Sequence, residues 1–114
     1  MLPKQHRLIK REDFAKTFSK GSFVSLYGGV SIKFTETGLP SSRIGFPIGK
    51  NFSKKAVERN RARRVLRAAT FQLLRQLKPG FDIIVMIRPE YKNIEFKKVT
   101  EDLRKIFAKA NLLT

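Results

Sequence analysis

The sequence predicts an α+β fold, a two-layer sandwich in which helices pack on one β-sheet. Helical and strand-like patterns follow one another in the order helix, two or three strands, helix, strand, helix, which favours a layered domain. The chain has 114 residues, enough to bury a core without disulfide bonds, and no repeat or Ser/Gly/Pro-rich linker divides it. These observations predict one domain over residues 1–114.

The N-terminal segment is predicted to hold a basic irregular arm and one helix. Residues 1–9 show no periodic pattern, whereas residues 11–20 carry Glu12 and Asp13 in their first turn, where carboxylates favour the helix dipole. Gly21 supplies the C-terminal stop. The first helix should therefore end just before the first strand.

Three stretches of the first half have strand patterns. Residues 23–27 form a short strand or the approach to one. In the next stretch apolar residues alternate with polar ones, the period of a half-exposed strand; its apolar members are Val30, Ile32 and Phe34. Residues 43–48 form another strand, and Pro47, which lacks a donor N–H, places it at a sheet edge or a strand end.

The second half predicts a long helix, a central strand and a last helix. The long helix covers about residues 55–78, with Ser53 as a candidate N-cap and Pro79-Gly80 as its stop. Residues 81–87 are nearly all Ile, Val and Met, which indicates a strand covered on both faces. The last helix, about residues 94–110, has apolar side chains at helical spacing that should be buried: Phe96, Val99, Leu103, Ile106, Phe107 and Ala110.

Composition excludes several classes of protein. The chain has no cysteine, so it has neither a disulfide framework nor a cysteine-based metal site or thiol nucleophile. Its longest apolar run, residues 83–87, is far shorter than the roughly 20 residues of a membrane span, and no signal peptide is evident. We expect a cytoplasmic protein with no membrane partner.

Charge is the most informative feature of the composition. Twenty-five Lys and Arg against nine Asp and Glu give a net charge of +16. Such an excess, spread along a chain with globular patterning, predicts a polyanionic partner. Nucleic acid is the first candidate, and an anionic membrane surface is the second.

The basic residues concentrate on the long helix. Residues 50–67 contain eight basic residues and one acid, Glu58. At about 100° per residue, an apolar arc of Ala62, Val65, Leu66, Ala69 and Leu73 lies opposite an arc of Arg59, Asn60, Arg63, Arg64 and Arg67. A solvated surface helix is the ordinary explanation, but such helices mix charges of both signs. Because planar guanidinium groups suit bidentate phosphate contact, we predict that this face binds nucleic acid.

The ordered basic set also resembles the signature of a known family. It comprises Arg59-Asn60-Arg61 followed by Arg63, Arg64 and Arg67, with Lys54-Lys55-Ala56-Val57 before it. The matching segments elsewhere are Leu2-Pro3-Lys4 with Arg7-Leu8 and Asp13-Phe14, and Arg43-Ile44-Gly45 leading into Lys50. Over most of its length the chain is similar to the bacterial ribonuclease P protein subunit.

The resemblance implies a fold and an activity that composition does not show. The fold would have three helices on a mixed four-stranded sheet in the order αβββαβα, with a left-handed βαβ crossover carrying the basic helix, although crossovers are ordinarily right-handed. The activity would be Mg²⁺-dependent endonucleolytic removal of the 5′ leader of precursor tRNA. The RNA subunit would supply the chemistry and, with the substrate, hold most of the Mg²⁺. One protein per RNA would bind both the RNA subunit and the leader.

The resemblance also assigns two nucleic-acid surfaces. The surface for the RNA subunit comprises Lys50, Lys54, Lys55, Arg59, Asn60, Arg61, Arg63, Arg64 and Arg67. The surface for the leader is the groove between the first helix and the sheet. It comprises Phe14, Phe18, Lys10, Arg11, Lys16, Lys20, Ile32 and Phe34, with Tyr27 as a weaker candidate.

Several of these roles have alternatives. Phe14 and Phe18 stack on leader bases in one interpretation, and in the other they are core residues, the commoner role of two Phe four apart on a helix. Asn60 binds a ribose hydroxyl or fixes the helix start. Arg61 projects away from the main arginine arc, so it buttresses the motif or reaches a second RNA segment.

The sequence contains no catalytic or metal-binding centre that we can identify. The one histidine, His6, lies in the predicted arm. The paired carboxylates are adjacent on helices, where neighbours do not face the same way, and a two-metal site needs converging oxygen ligands; they are Glu12-Asp13 and Glu101-Asp102. There is neither a Gly-rich phosphate loop nor a Ser-His-Asp arrangement.

Three other functions are compatible with part of this pattern. A ribosomal or general RNA-binding protein explains the charge but not two surfaces, and dependence of binding on leader length would separate the two functions. A helix-turn-helix regulator is disfavoured because strands, not a short turn and partner helix, flank the basic helix. An autonomous nuclease would have to cleave without the RNA subunit.

Overall fold

The order of helices and strands is αβββαβα, as the sequence and the resemblance predicted. A computed structural model describes residues 2–26 and 28–114; Met1 and the cleft candidate Tyr27 lie outside them. The helices are α1 (Arg11–Lys20), α2 (Ala56–Leu73) and α3 (Phe96–Lys109), and the strands are β1 (Ser22–Leu26), β2 (Val30–Glu36), β3 (Arg43–Gly45) and β4 (Phe81–Ile87). Short 3₁₀ turns cover Lys4–His6 and Leu74–Gln76.

The four strands form one mixed sheet in the order β1-β2-β4-β3. β2 pairs with β1 and β4 in antiparallel register, whereas β3 pairs with β4 in parallel. The connection from β3 to β4 is therefore a βαβ crossover, and the helix it carries is the basic helix α2. The left-handedness of this crossover stays a prediction. β3 ends at Gly45, so Pro47 lies just past the end of an edge strand. At this position no ladder hydrogen bond requires the N–H that proline lacks.

The two faces of the sheet have different coverings. One face buries Ile32, Ile83 and Val85 against α2 and α3 in a single hydrophobic core, which gives the predicted sandwich. The other face carries Lys33 and Ile84, which pair across β2 and β4. α1 packs on β2 and β4 here and covers only part of the face. The remainder is an open groove beside α1.

The basic helix packs as its periodicity predicts, with small differences at its ends. Ala62, Leu66, Ala69 and Leu73 are buried, and the α-helix ends at Leu73, where a 3₁₀ turn follows. Its N-cap is Lys55 and has no side-chain cap hydrogen bond, so the prediction that Ser53 is the N-cap is wrong.

One prediction about burial is wrong, and the N-terminal arm packs more closely than its pattern indicates. The described part of the arm is irregular apart from the 3₁₀ turn Lys4–His6, but it buries Leu2 and Leu8 and is tied to β3 by the Leu8 N–H, which donates to the Ile44 carbonyl at 3.1 Å. Phe96 was expected in the core but is 45% exposed, because it is the first residue of α3. The other predicted core residues of this region are buried, except Ala110, which is half-buried.

A buried hydroxyl in α2 gives a stability prediction. Thr70 is fully buried, and its Oγ1 has no hydrogen-bond partner among the described residues. Thr70→Val keeps the branched shape and removes an unsatisfied polar group, which costs about 1–3 kcal/mol when buried. We expect the free energy of unfolding in urea to rise by about 1 kcal/mol.

The matched control is Thr17→Val in α1. Thr17 is equally buried, but its Oγ1 donates to the Asp13 carbonyl at 2.9 Å, so its loss should lower the free energy of unfolding by about 1 kcal/mol. Equal destabilisation by both substitutions would show that the Thr70 hydroxyl is satisfied.

Candidate nucleic-acid interface

The outer face of α2 carries basic side chains that no acid neutralises. Arg64 and Arg67 are exposed, as are Lys54 and Lys55 before the helix. Among the described residues, the side chains in ion pairs within 4.0 Å are those of Arg43, Lys98 and Arg104 with their acids, and none of these three belongs to the α2 face. The face therefore presents uncompensated positive charge to solvent, as a polyanion-binding surface requires.

Two half-buried arginines are held by neutral oxygen atoms. Arg63 donates from Nη2 to the Ile48 carbonyl at 2.6 Å and from Nη1 to the Asn60 side-chain oxygen at 2.9 Å. Arg59 donates from Nη1 to the Ser53 carbonyl at 3.0 Å. These bonds fix the guanidinium groups without cancelling their charge, which lowers the ordering cost of binding.

The hydrogen bond between Asn60 and Arg63 helps to decide between the two roles predicted for Asn60. Asn60 is exposed, and its side-chain oxygen accepts from a residue of the next turn, not from the start of the helix. The alternative in which Asn60 fixes the helix start is therefore not what the structure shows. Its contact with a ribose hydroxyl stays a prediction.

The single acid of the basic segment is turned toward the start of α2. Glu58 accepts a hydrogen bond from the Ser53 hydroxyl, and the same hydroxyl accepts from the Lys55 N–H at 3.2 Å. A carboxylate in the first turn is favoured by the helix dipole. Glu58 thus stabilises the helix start and leaves the arginines further along unpaired.

Arg61 makes a contact of the kind that its buttressing alternative predicts, and its contact with a second RNA segment stays a prediction. Its Nη1 donates to the Ile94 carbonyl at 2.8 Å and ties α2 to the segment before α3. This agrees with its position off the main arginine arc.

The open face of the sheet forms a cleft with α1. The Phe18 ring is 39% exposed at this cleft, and Lys33 of β2 donates to the Phe18 carbonyl at 2.6 Å with its Nζ 5.9 Å from the ring centroid. The ring is thus accessible and stands beside a positive charge. That is the combination that single-stranded nucleic acid uses for base stacking and phosphate contact.

Phe14, the second aromatic residue of α1, has a structural role. Its half-buried ring lies over Gly45 of β3, where any side chain would collide with it. Gly45 is therefore needed for the close approach of α1 to the sheet. Of the two alternatives for these phenylalanines, Phe14 matches the core and Phe18 the cleft.

Ile32 and Phe34 cannot line the cleft, so their assignment to the leader surface is wrong. Ile32 is fully buried and belongs to the core beneath α2 and α3. Phe34, two residues further along β2, shares that face and meets Phe81 edge-to-face, with ring centroids 6.2 Å apart. Side chains alternate between the faces of a strand, so the cleft receives their neighbours Ser31 and Lys33 instead.

Several cleft residues were missed or misassigned. The cleft encloses about 470 Å³, and its walls include Phe18, Phe23, Ser31, Lys50, Met86 and Arg88. Lys50, assigned from the sequence to the RNA-subunit surface, lies here with Phe18. The register of β1 on β2 places Phe23 opposite Lys33, a signal that becomes visible only once the strands are paired.

The basic residues of α1 are exposed but do not all lie near Phe18. Arg11 is seven residues before Phe18 and shares its side of the helix, whereas Lys16 and Lys20 are each two positions away, on the far side. Lys10, just before the helix, is also exposed. Their contact with a leader backbone stays a prediction.

Several carboxylates of the described residues have structural partners. Asp13 lies 3.3 Å from Arg43, and Asp102 accepts a hydrogen bond from the Tyr91 hydroxyl at 2.7 Å. Burial and then this hydrogen bond raise the pKa of Tyr91. Across residues 2–26 and 28–114, no three or more His, Asp or Glu side chains come together in a way that could hold a metal ion.

The histidine of the N-terminal arm is held in place by a contact with the chain beside β3. His6 Nδ1 is 2.8 Å from the Ser42 carbonyl oxygen, next to the edge strand β3. No second titratable side chain is seen to form an acid–base pair with it among the described contacts.

Fold and surface together define a class: a basic α+β protein with an unpaired cationic helix face and an adjacent cleft, features typical of polyanion-binding proteins. No helix in the part of the chain that the structure describes is long and apolar enough to cross a membrane. The family model for ribonuclease P matches residues 2–111. The chain belongs to the ribonuclease P protein family, which makes it an RNA-binding protein of tRNA processing.

Curated relatives agree over nearly the whole chain. The ribonuclease P protein component of a Pseudanabaena species is 42% identical and covers 99% of this chain and 97% of its own. The ribonuclease P protein component of Microcystis aeruginosa is 34% identical, and the match covers 98% of this chain and 96% of that protein.

Solved structures show the same fold. The RNase P protein from Thermotoga maritima superposes with a TM-score of 0.79 at 28% identity, covering 90% of this chain and 96% of its own. The RNase P protein of Staphylococcus aureus superposes with a TM-score of 0.81 at 23% identity, covering 96% of this chain and 98% of its own. At this identity the likeness shows the fold alone.

Proposed function

We propose that this chain is the protein subunit of a cytoplasmic ribonuclease P and binds two RNA molecules at once. The face of α2 binds the catalytic RNA, and the cleft beside α1 binds the 5′ leader of precursor tRNA. One protein binds one RNA subunit, and the complex removes the leader by endonucleolytic hydrolysis that produces a 5′ phosphate.

The observation that carries this proposal is the separation of two surfaces of different chemistry. The α2 face is a row of charged groups without acidic partners, suited to the phosphates of a folded RNA. The cleft combines exposed aromatic rings, Phe18 and Phe23, with the cations Lys50 and Arg88, suited to an extended single strand. A general RNA-binding protein needs only the first surface.

In this mechanism the chain contributes binding and charge. Its cations lower the repulsion between two polyanions and so raise the affinity of the complex for its substrate. Mg²⁺ would supply the activated nucleophile and the stabilisation of the leaving oxygen. Because no three or more His, Asp or Glu side chains of the described residues come together to hold a metal ion, we place the Mg²⁺ and all catalytic groups on the RNA subunit and the substrate.

Reconstitution tests the proposal. Purified protein is added to the cognate catalytic RNA at low Mg²⁺, and processing is measured for precursors with leaders of increasing length. We expect the protein to raise the processing rate, and the gain to grow until the leader fills the cleft. A gain that is the same for every leader length would support a general RNA-binding role instead.

Phe18→Ala should weaken binding of precursors that carry a leader. A lost base stack corresponds to about 5- to 150-fold in affinity, whereas leaderless tRNA should bind as before. The measurement is the Kd of both tRNAs for the reconstituted holoenzyme. Phe96→Ala is the matched control, because Phe96 is also exposed and lies in α3, away from the cleft walls. Equal losses for both tRNAs would show that Phe18 acts through the core.

A further inference from the structure

We propose that Phe71 stacks on an unpaired base of the catalytic RNA, in a groove at the C-terminal end of α2. The RNA-subunit surface then extends beyond the arginine motif that the sequence suggests. This inference rests on the proposed function, because its occupant is the RNA that the face of α2 binds.

Phe71 lies within the arginine row. At about 100° per residue, Arg64, Arg67 and Phe71 fall within about 60° of one another on the helix surface. The ring is 55% exposed, and the buried residues Leu66 and Leu73 lie on the opposite side of the helix. Single exposed apolar side chains are common, but a ring four residues after Arg67 on the same stripe adjoins a cation that faces solvent.

A groove of about 600 Å³ adjoins this ring. Its walls are His6, Phe71, Gln72, Leu74 and Arg75, and no carboxylate is among them. Gln72 both donates and accepts hydrogen bonds, which suits the edge of a base, and Arg75 supplies positive charge for a phosphate. An aromatic face with these groups beside it is the chemistry by which proteins hold unpaired RNA bases.

The N-terminal segment gives the groove a fixed wall. His6 Nδ1 is 2.8 Å from the Ser42 carbonyl oxygen, which only accepts, so Nδ1 carries the proton and Nε2 of the neutral ring is an acceptor. The buried side chains of Leu2 and Leu8 anchor the segment on both sides of the 3₁₀ turn. A wall that is already ordered reduces the entropy lost on binding.

Charge and continuity favour RNA as the occupant. The groove continues the row of Arg64 and Arg67, which the proposed function assigns to the catalytic RNA. A second copy of the chain would bring another +16 to the same place, and self-repulsion disfavours that association.

The test is the affinity of Phe71 variants for the catalytic RNA at several salt concentrations. Phe71→Ala should bind about 5- to 150-fold more weakly with an unchanged salt slope, because stacking displaces no counterions. Phe71→Tyr should bind like the wild type, and Phe71→Leu should bind like Phe71→Ala, because it keeps an apolar side chain without the ring. Phe96→Ala should have no effect, and circular dichroism should show folded protein throughout.

Other results would overturn the inference. If Phe71→Ala binds normally while loss of Arg64 and Arg67 weakens binding, the inference fails and the proposed function stands. If the wild-type protein does not bind the catalytic RNA, both fail. If Phe71 mediates a protein dimer, sedimentation without RNA would show a concentration-dependent mass that Phe71→Ala abolishes.

Discussion

Replacing Arg64 and Arg67 together by alanine is expected to weaken binding of the catalytic RNA about 100-fold or more at roughly 0.1 M salt. Charge-assisted hydrogen bonds contribute about 1.5–3 kcal/mol each, and two are lost. The slope of log K against log salt should fall in magnitude by about 1.4–1.8, since each phosphate contact releases counterions. The measurement is a salt titration of the Kd for the catalytic RNA.

The fold should be unaffected, because neither guanidinium group is among the side-chain hydrogen bonds found in the described residues and alanine favours helix. The matched control removes the same charge from α3, where Lys97 and Lys105 are exposed. The Lys97→Ala, Lys105→Ala variant should change affinity and salt slope far less. Equal losses in both double variants would mean that net charge, not the α2 face, binds the RNA.

The position of the α2 face could be predicted because it depends on one local period. Leu66 and Leu73 fall on the apolar arc, and Arg64 and Arg67 fall opposite, at the spacing of a single helix. Nothing outside the helix is needed to place these side chains. The family resemblance then supplied the chemistry of the partner, which periodicity does not contain.

The cleft could be predicted only in part, because its walls come from five separate segments. The alternation that identified β2 already placed Ile32 with the buried residues, and applying it to the site would have excluded Ile32 from the cleft. The meeting of Lys50, Arg88 and Phe18 has no such local signal, since it depends on how the loops after β3 and β4 lie beside α1.

The packing of the N-terminal arm could not be predicted either, because it depends on contacts with distant segments. Leu2 and Leu8 are too far apart and too few to form a period, so the sequence indicated an irregular segment. Their burial depends on contacts with the distant strand β3, including the bond from Leu8 to Ile44. A groove that includes His6 and Phe71 could not be foreseen, because no local pattern places the arm beside α2.

Arg43→Ala is expected to lower the free energy of unfolding by about 3–5 kcal/mol. Arg43 of β3 holds the Asp82 carboxylate of β4 with two hydrogen bonds of 2.8 and 2.7 Å, and its Nη1 lies 3.3 Å from Asp13 of α1. Its hydrogen bond to Asp82 raises the pKa of Arg43. The Asp82 side chain is only 5% exposed, so removing its partner leaves a nearly buried charge uncompensated.

Matched variants separate this cause from general loss of charge. Arg104→Ala breaks an exposed pair with Glu101 and should cost at most about 1 kcal/mol. Arg43→Met combined with Asp82→Leu removes both buried charges and should recover most of the stability that Arg43→Ala loses. Unfolding in denaturant gives the free energy of unfolding of all three variants. If Arg43→Ala proved as stable as Arg104→Ala, Asp82 would not be buried in solution.

The same contact has a functional consequence, because Asp13 belongs to the helix that carries Phe18. In the double variant Arg43→Met, Asp82→Leu the fold should be retained while α1 loses its ionic link to β3. The width of the cleft is then no longer fixed. We expect weaker binding of leader-bearing precursor to the holoenzyme and unchanged binding of the protein to the catalytic RNA. Loss of both would mean that the ion pair supports the α2 face as well, and loss of neither would mean that the Phe14 ring over Gly45 is sufficient to hold α1 in place.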